Sequence, residues 1–490
     1  MPEEGGKSGI KVLHVAPEIA PFMKVGGLAD VVSSLPRAQR ELGIDARILV
    51  PAFPGLLEKA ETDGYRITRV RRDIHVSINW MVYTAKLWKI RYGHVPIYAM
   101  DNRDIFDNPD IYPEELDSRT FLPFCLLSLG AYGIAGALAW TPHIMHLHDW
   151  ATALVPIAGK WHPFYGKEGP SYRTVFTIHN IAHQGIIKDN HILDGLGMSD
   201  SFRTERLEFY GSVNLMKGAI VASDAVTTVS PTYAEEIAEE PFGMGLEGVI
   251  RKEEHKISGI LNGLDTSYWN PSEDCLLPYR YGLEDMSGKA KCRALLLKEA
   301  GIEDGEGPLM VMVTRLYPQK GIELVVEAAE YIIEKGINLF ILGSGASDLE
   351  HVLSKKAALR RGKMTFVRGY DEKLAHLAYA GGDIFLMPSL FEPCGLSQLI
   401  ALRYGTVPVV RDTGGLADTV KDADADRGGY GFTFPEFSPH SMLSAIGRAA
   451  AAFKDRERWK RLVVRGMEKD FSWNSSAPEY ESIYSRALNI

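Results

Sequence analysis

Cysteine is scarce: there are four in 490 residues, Cys125, Cys275, Cys292 and Cys394, and no two form a CxxC pair. That spacing argues against a disulfide framework and a cysteine-built zinc site, and it fits a reducing compartment. Basic residues are not in excess, with 54 Lys+Arg against 63 Asp+Glu and a formal net charge of -9. Such a chain lacks the broad basic surface that draws nucleic acid, and its acidity serves solubility. A long uninterrupted apolar run is missing too. The most apolar stretch, residues 121–140, is broken by Pro123 and three glycines, and reads as a buried helix with no membrane span in prospect. The first nine residues are polar and show no apolar h-region; a transit peptide removed ahead of this numbering keeps an organelle interior open. Both common nucleotide fingerprints fail. GxxxxGK[ST] is absent, and Gly343-Ser344-Gly345 has Asp348 where the third glycine of GxGxxG belongs.

What is present is alternation. Length predicts two or three domains. Short apolar runs at residues 11–16 and 45–50 flank a helix containing Pro36, a βαβ opening with strands covered on both faces. Residues 66–100 change texture to a period of two, as in Ile74-His75-Val76-Ser77-Ile78, which predicts an antiparallel insertion. The parallel series resumes at 143–149, 173–179 and 225–229. After an aperiodic stretch at 262–287, rich in Pro, Tyr and Gly, a second series follows at 309–314, 338–342, 364–367, 384–387 and 407–410. Strict alternation of this length implies two doubly wound α/β domains, whose ligands bind at the carboxyl ends of the strands in the expected cleft between them. The terminal stretch, 472–488, is read as one more helix.

Several motifs sit at those strand ends. Lys24-Val25-Gly26-Gly27-Leu28-Ala29-Asp30 follows the first strand, and its last five letters return as Gly414-Gly415-Leu416-Ala417-Asp418. A Gly-Gly turn opening a helix lets backbone N–H groups approach an anion, although it also serves simply as a tight turn. Arg315 and Lys320 lie between a buried strand and a helix. Two such cations near a diphosphate each offer about 4 kcal/mol of gross attraction at roughly 4 Å and an effective dielectric near 20, before desolvation. The bland alternative is two solvated cations at a helix entrance. Glu392, in Phe391-Glu392-Pro393-Cys394-Gly395-Leu396, is placed to accept bonds from sugar hydroxyls, or else to stabilise a helix dipole. Cys394 looks reactive by position but has packing as its simpler role. His143-x-x-His146-x-His148-Asp149 looks like a metal cluster. On a strand, however, His146 and His148 share a face that Asp149 does not, so core histidines or a strand-end site are favoured over a metal. His179 ends the next strand in Thr177-Ile178-His179-Asn180. Asp422-x-Asp424-x-Asp426 fails the EF-hand pattern and reads as a solvated acidic turn.

Taken together, these motifs resemble the bacterial glycogen synthase and plant starch synthase family of retaining glucosyltransferases. Lys24 to Leu28 is similar to the family's KxGGL motif and Thr413-Gly414-Gly415-Leu416 to its second TGGL. His146 to Trp150, Phe176 to Asn180, Leu261 to Asp265, Arg315 to Gly321 and Phe391 to Leu396 match further landmarks in the same order along nearly the whole chain. Two positions depart from the pattern: Ser397 where Thr is usual, and Leu390 where Arg is common.

The resemblance implies a GT-B fold, with an acceptor-side domain at 10–265, a linker at 266–286, a nucleotide-sugar domain at 287–471, and the helix at 472–490 packing back on the first domain. It implies ADP-glucose as donor, ADP as product, and an α-1,4-glucan chain of glycogen, amylose or amylopectin as acceptor. No metal or other cofactor, no nucleic acid and no membrane is expected. By motif, Lys24, Arg315 and Lys320 hold the diphosphate, with Gly26, Gly27, Thr413, Gly415 and Leu416 in the loops beside it. Glu392 binds the glucose hydroxyls with Cys394, Gly395 and Leu396. His179 contacts the sugar near the reacting carbon, and Tyr370 stacks on the adenine. Glu18, Asp149, Asn180 and Asn262 line the donor sugar or the acceptor. The compartment is the cytoplasm, or a plastid stroma if a transit peptide was removed. Competing readings are a related retaining enzyme using UDP-glucose, an inert glucan-binding scaffold, and an NAD-linked oxidoreductase, the last disfavoured by the missing third glycine.

Overall fold

A computed structural model describes residues 9–78, 80–108, 110–166, 172–197 and 206–490. Eight of the nine polar leading residues, 1–8, lie outside them. The chain divides into two compact units: Met1–Val229, Ala234–Gly263 and Trp473–Ile490 form the first, and Ser230–Tyr233 with Leu264–Ser472 the second.

The strands of the first unit, in chain order, are β1 (Lys11–Val15), β2 (Asp45–Pro51), β3 (Ile67–Arg69), β4 (Ile74–Ile78), β5 (Met81–Tyr92), β6 (Val95–Asp101), β7 (Ile144–His148), β8 (Arg173–Ile178), β9 (Ile186–Ile187), β10 (Glu208–Phe209), β11 (Ser212–Asn214), β12 (Ala225–Thr228) and β13 (Ile257–Gly259). The main sheet runs β13-β12-β8-β7-β1-β2-β6-β5-β3, with β4 paired to β5. It is parallel from β13 to β6. The chain winds outward from β1 through β2 and β6, then returns to β7 on the other side, so its topological switch point lies between β1 and β7. The helix Gly27–Glu41 covers one face because Leu28, Val31, Val32 and Leu35 recur at helical spacing and are buried. In the antiparallel insertion, β4 buries Ile74, Val76 and Ile78 and exposes His75 and Ser77, as its period of two requires.

Residues 121–140 are not one helix. They break into a helix over Leu122–Gly130, a 3-10 turn over Ala131–Gly133 and a short helix over Ile134–Leu138. A Cβ at Gly130 would come within 2.5 Å of Met100 Cε, and one at Gly133 within 2.9 Å of Ile74, so the glycines are there to let this segment lie close on its neighbours. Sequence periodicity does not reveal β13 or the small sheet β10-β11-β9, since strands of two or three residues are too short to show a period.

The second unit holds β14 (Leu309–Val313), β15 (Asn338–Gly343), β16 (Met364–Arg368), β17 (Ile384–Met387), β18 (Val407–Arg411) and β19 (Phe432–Phe434), ordered β16-β15-β14-β17-β18-β19 and parallel throughout. Its switch point lies between β14 and β17. Residues 266–286, read as a linker, are packed into this unit. Leu277 and Tyr281 are buried in its core, the Tyr281 hydroxyl donates to Tyr404 O at 2.8 Å, and Asp274 accepts from the Tyr404 hydroxyl at 2.6 Å while pairing with His376 at 2.7 Å. Those partners lie about a hundred residues away in sequence, which is why the stretch lacks any local signature. The segment Ser230–Tyr233 joins the same unit through Ser230 Oγ to Pro393 O (2.7 Å) and Thr232 Oγ1 to Asp418 (2.7 Å).

The terminal helix, Trp473–Leu488, belongs to the first unit. Trp473, Ala477, Tyr480, Ile483 and Tyr484 are buried together with Val12, Val31, Leu35 and Ile144. Gly263 lies so close to it that a Cβ would fall 2.5 Å from Trp473 Cα. Among the described residues no helix is long and apolar enough to cross a membrane.

Candidate active site

In the second unit, three loops leave the carboxyl ends of adjacent strands β14, β17 and β18, on both sides of the switch point. They are tied to one another by hydrogen bonds to backbone carbonyls. Leu390 N donates to Gln319 O (2.8 Å), Gln319 Nε2 donates to Phe391 O (3.2 Å), and Gly415 N donates to Glu392 O (3.0 Å). Two glycines permit this closeness: a Cβ at Gly321 would stand 2.1 Å from Pro388 O, and one at Gly415 2.2 Å from Cys394 O. Gly321 also sits at φ 64°, where a side chain is strained.

Within this frame Lys320 Nζ meets Glu392 Oε2 at 2.6 Å, and Ser389 Oγ donates to the same oxygen at 3.0 Å. Glu392 is buried and Lys320 half-buried. Removing Lys320 would leave the buried Glu392 carboxylate without its counter-charge, which costs more than the intact pair contributes. Arg315 is exposed at the mouth of the same loops, its guanidinium 5.7 Å above the Tyr317 ring. Leu390, where the resemblance expects Arg, contributes backbone alone: its N–H donates to Gln319 O and its carbonyl accepts from Arg411 Nη1. Ser397 hydrogen-bonds the Tyr379 hydroxyl. Cys394 is buried, as packing requires, and none of the four cysteines is in a disulfide. Gly395 and Leu396 are half-buried; Thr413, Gly415 and Leu416 are buried. Tyr370 follows β16 and is 66% exposed. The Asp422 turn is anchored, not merely solvated: Asp422 and Asp424 both accept from Arg448 at 2.9 Å, and Asp422 also takes the Thr433 N–H. Sequence reading missed Ser389, Gln319 and Arg411. The first two adjoin residues already singled out, and only the fold brings Arg411 near.

In the first unit, the carboxyl ends of β1, β7 and β8 gather Glu18, Asp149, His179 and Asn180. Glu18 is buried. Its carboxylate accepts the Val25 and Gly26 N–H groups and, at 3.0 Å, the Tyr112 hydroxyl. The first Gly-Gly turn therefore spends two of its N–H groups on a carboxylate of its own chain; Gly27 stands exposed beyond them. Burial raises the Glu18 pKa against those three donors. Lys24 is exposed and paired with Asp30 at 2.8 Å. Asn262 is buried, and its Oδ1 has no hydrogen-bond partner among the described residues. Asn180 is half-buried and accepts from Ala182 N.

Asp149 stands at φ 57°, ψ -179°, a conformation that costs a non-glycine residue about 1–3 kcal/mol and concentrates at functional sites. Its Oδ1 accepts the His179 N–H at 2.7 Å, and the Asn180 N–H also donates to its carboxylate. Burial pushes its pKa up to about 8 in spite of both donors.

Parallel pairing sets His14 of β1 directly opposite His146 of β7. With His148 they offer three ring nitrogens within 4.8 Å, the spacing of a metal cluster. Every nitrogen of the three rings already has a partner, however. His14 binds His148 (3.1 Å) and Gln39 (2.8 Å), His146 binds Tyr484 (2.7 Å) and Thr177 (2.6 Å), and His148 binds His179 (2.9 Å) in addition to His14. Burial holds His14 down to about 4 and His179 to about 3, with His146 and His148 also well below the ordinary value, so the set is neutral near pH 7. The donor set fits a hydrogen-bonded core better than a cation.

Comparison with known proteins fits this geometry. The starch synthase catalytic domain family matches residues 11–252, and the family of group 1 glycosyl transferases matches 296–462. A glycogen synthase of Anaeromyxobacter sp. (strain Fw109-5) is 41% identical over 97% of this chain and 99% of its own length, and one from Bacillus cereus (strain ATCC 14579) is 40% identical over 98% and 100%. The solved catalytic domain of starch synthase IV from Arabidopsis thaliana, bound to ADP and acarbose, superposes with a TM-score of 0.90 at 34% identity, covering 98% of this chain and all of that one. Sucrose-phosphate synthase from Thermosynechococcus elongatus shares the fold at 14% identity, with a TM-score of 0.60. Two Rossmann-like units carrying these loops define a glycosyltransferase of the GT-B class. Within that class, the chain belongs to the glycogen synthase and starch synthase family of glucosyltransferases.

The raised Asp149 pKa has a thermodynamic consequence. The folded chain keeps this proton to about pH 8, whereas an unfolded Asp loses it near pH 3.9. The group's contribution is therefore whole below the unfolded pKa and is lost as pH rises through the folded one. Asp149→Asn keeps an amide oxygen that can accept the His179 N–H and removes the titration. Its urea midpoint, relative to the native chain, is expected to be higher at pH 8 than at pH 5; an offset equal at both would refute the assignment.

Proposed function

We propose that this enzyme transfers glucose from ADP-glucose to the nonreducing 4-OH of an α-1,4-glucan, with retention of configuration and release of ADP. The observation that carries the reading is the Lys320–Glu392 pair, with Arg315 exposed on the same β14 loop, set at the switch point of the second unit in loops locked by backbone contact. The ADP and acarbose in the starch synthase IV structure support nucleotide and glucan as the two ligand classes.

In this reading Arg315 and Lys320 neutralise the charge that develops on the departing diphosphate, with Lys24 as a third cation, and Tyr370 stacks on the adenine. Glu392 accepts from glucose hydroxyls, so donor binding divides the Lys320–Glu392 pair between phosphate and sugar. The bond from C1 to the diphosphate oxygen breaks as the sugar takes on oxocarbenium character. The acceptor 4-OH forms the new bond on the same face, and its proton passes to the departing phosphate oxygen. Fixed cations do here the work that a divalent ion does elsewhere, so no metal or other cofactor is invoked. His179, held by Asp149 through its backbone N–H, stands beside the sugar, with Glu18, Asn180 and Asn262 lining donor or acceptor.

ADP release from ADP-glucose should depend on an α-1,4-glucan primer and exceed release from UDP-glucose; primer-independent release, or a preference for UDP-glucose, would overturn the proposal. Lys320→Ala should lower kcat by about 10²-fold or more without rescue by Mg²⁺, and Glu392→Ala should abolish transfer while calorimetry still detects ADP. Near-normal turnover in the first, or lost ADP binding in the second at an unchanged melting temperature, would reject these roles. The compartment proposed is a reducing one, bacterial cytoplasm or plastid stroma. Protein denatured without reductant should take up alkylating agent at all four cysteines, and protection of any pair would count against it.

A further inference from the structure

His179 is the end of a buried line of side chains. The Tyr484 hydroxyl accepts from Gln39 Nε2 at 2.7 Å, and Gln39 Oε1 accepts from His14 Nε2 at 2.8 Å. His14 Nδ1 then faces His148 Nε2 at 3.1 Å, and His148 Nδ1 faces His179 Nε2 at 2.9 Å. Gln39, His14, His148 and Tyr484 are fully buried. Nδ1 of His179 has no hydrogen-bond partner among the described residues.

A neutral imidazole has one N–H and one lone pair, so fixing one ring's tautomer fixes the next. With Gln39 Oε1 accepting, His14 carries its proton on Nε2 and must accept at Nδ1. His148 then donates from Nε2 and accepts at Nδ1, and His179 donates from Nε2. A single ring turned the other way would set two protons or two lone pairs against each other where no water reaches. Reversing the whole line needs Gln39 to flip, and through Tyr484 that flip would also have to reverse a second branch. Its hydroxyl accepts from Gln39 and donates to His146 Nδ1 (2.7 Å), which passes the order on through His146 Nε2 to Thr177 (2.6 Å) and then to Thr227 (2.7 Å). Two branches meet at that one oxygen, so neither reverses alone.

We propose that Gln39 and Tyr484 are positioning residues for the transfer reaction, which hold His179 as the Nε2–H tautomer, with Nδ1 presented as an acceptor, through the buried His14–His148 pair. This rests on the reading that places His179 beside the donor sugar. The terminal helix thereby acts on the site through a hydrogen bond as well as by burial, and the three histidines that look like a metal cluster are a conduit for tautomer order.

The test uses the full chain labelled with 15N-histidine, with the His179 signals assigned by their loss in His179→Asn. Long-range 1H–15N spectra should show His179 as Nε2–H in the native protein and as a mixture or as Nδ1–H in Tyr484→Phe and Gln39→Met. If nine-tenths of the molecules then hold the wrong form, kcat falls about tenfold with the donor KM little changed, since turnover scales with the competent fraction. Tyr484→Phe removes a single oxygen and stands in if Gln39→Met does not fold. A native His179 carrying Nδ1–H, or a tautomer ratio unmoved by Tyr484→Phe, overturns the relay. Full turnover in His179→Asn overturns the proposal through the reading of His179 instead, and the tautomer spectra tell the two failures apart.

Discussion

Parallel strands covered on both faces cannot carry polar chemistry in their interiors unless every polar atom is partnered. In the second unit β14 and β15 are buried along their whole length and, but for Asn338 at the head of β15, built of apolar side chains and glycine. Every charged group proposed to meet the donor is therefore displaced to the loops after the strands. Doubly wound order then selects which loops. Strands β14, β17 and β18 are neighbours on either side of the switch point, so residues from 315 to 416 in sequence gather at one sheet edge.

The loops in turn are held by backbone contact, and this gives the Lys320–Glu392 pair its character. An ion pair on open surface is worth little. Here the carboxylate is buried and also takes a bond from Ser389, so charge and geometry are prepared before a ligand arrives. A diphosphate would give Lys320 an anion in place of Glu392, and sugar hydroxyls would give Glu392 neutral donors in place of Lys320. Preorganisation of this kind lets fixed groups stabilise a transition state without the reorganisation that water would require.

The first unit meets the same constraint differently. It admits polar side chains into the parallel sheet itself, at His14, His146, His148 and Thr177, and satisfies them with one another and with Gln39 and Tyr484 from the two helices above. A row of neutral, mutually bonded groups has a direction, and the direction ends at His179. Asp149, on the same edge, is held in a backbone conformation that a side chain resists, and orients His179 from the other side through its N–H.

The sequence by itself determined the alternation of apolar runs and helices, hence two doubly wound units, and the strand-end placement of Lys24, Asp149, His179, Arg315, Lys320 and Glu392. Those properties are local, since they depend on periodicity and on which residues follow a buried strand. Only tertiary structure decided that residues 266–286 are anchored to the second unit by Asp274, Leu277 and Tyr281, that the 121–140 stretch bends at its glycines, that Glu18 occupies the first Gly-Gly turn, and that His14 is opposite His146. Each of those depends on partners brought together by strand register or helix packing from far along the chain, 338 residues apart in the case of His146 and Tyr484, and no local pattern encodes a contact of that span.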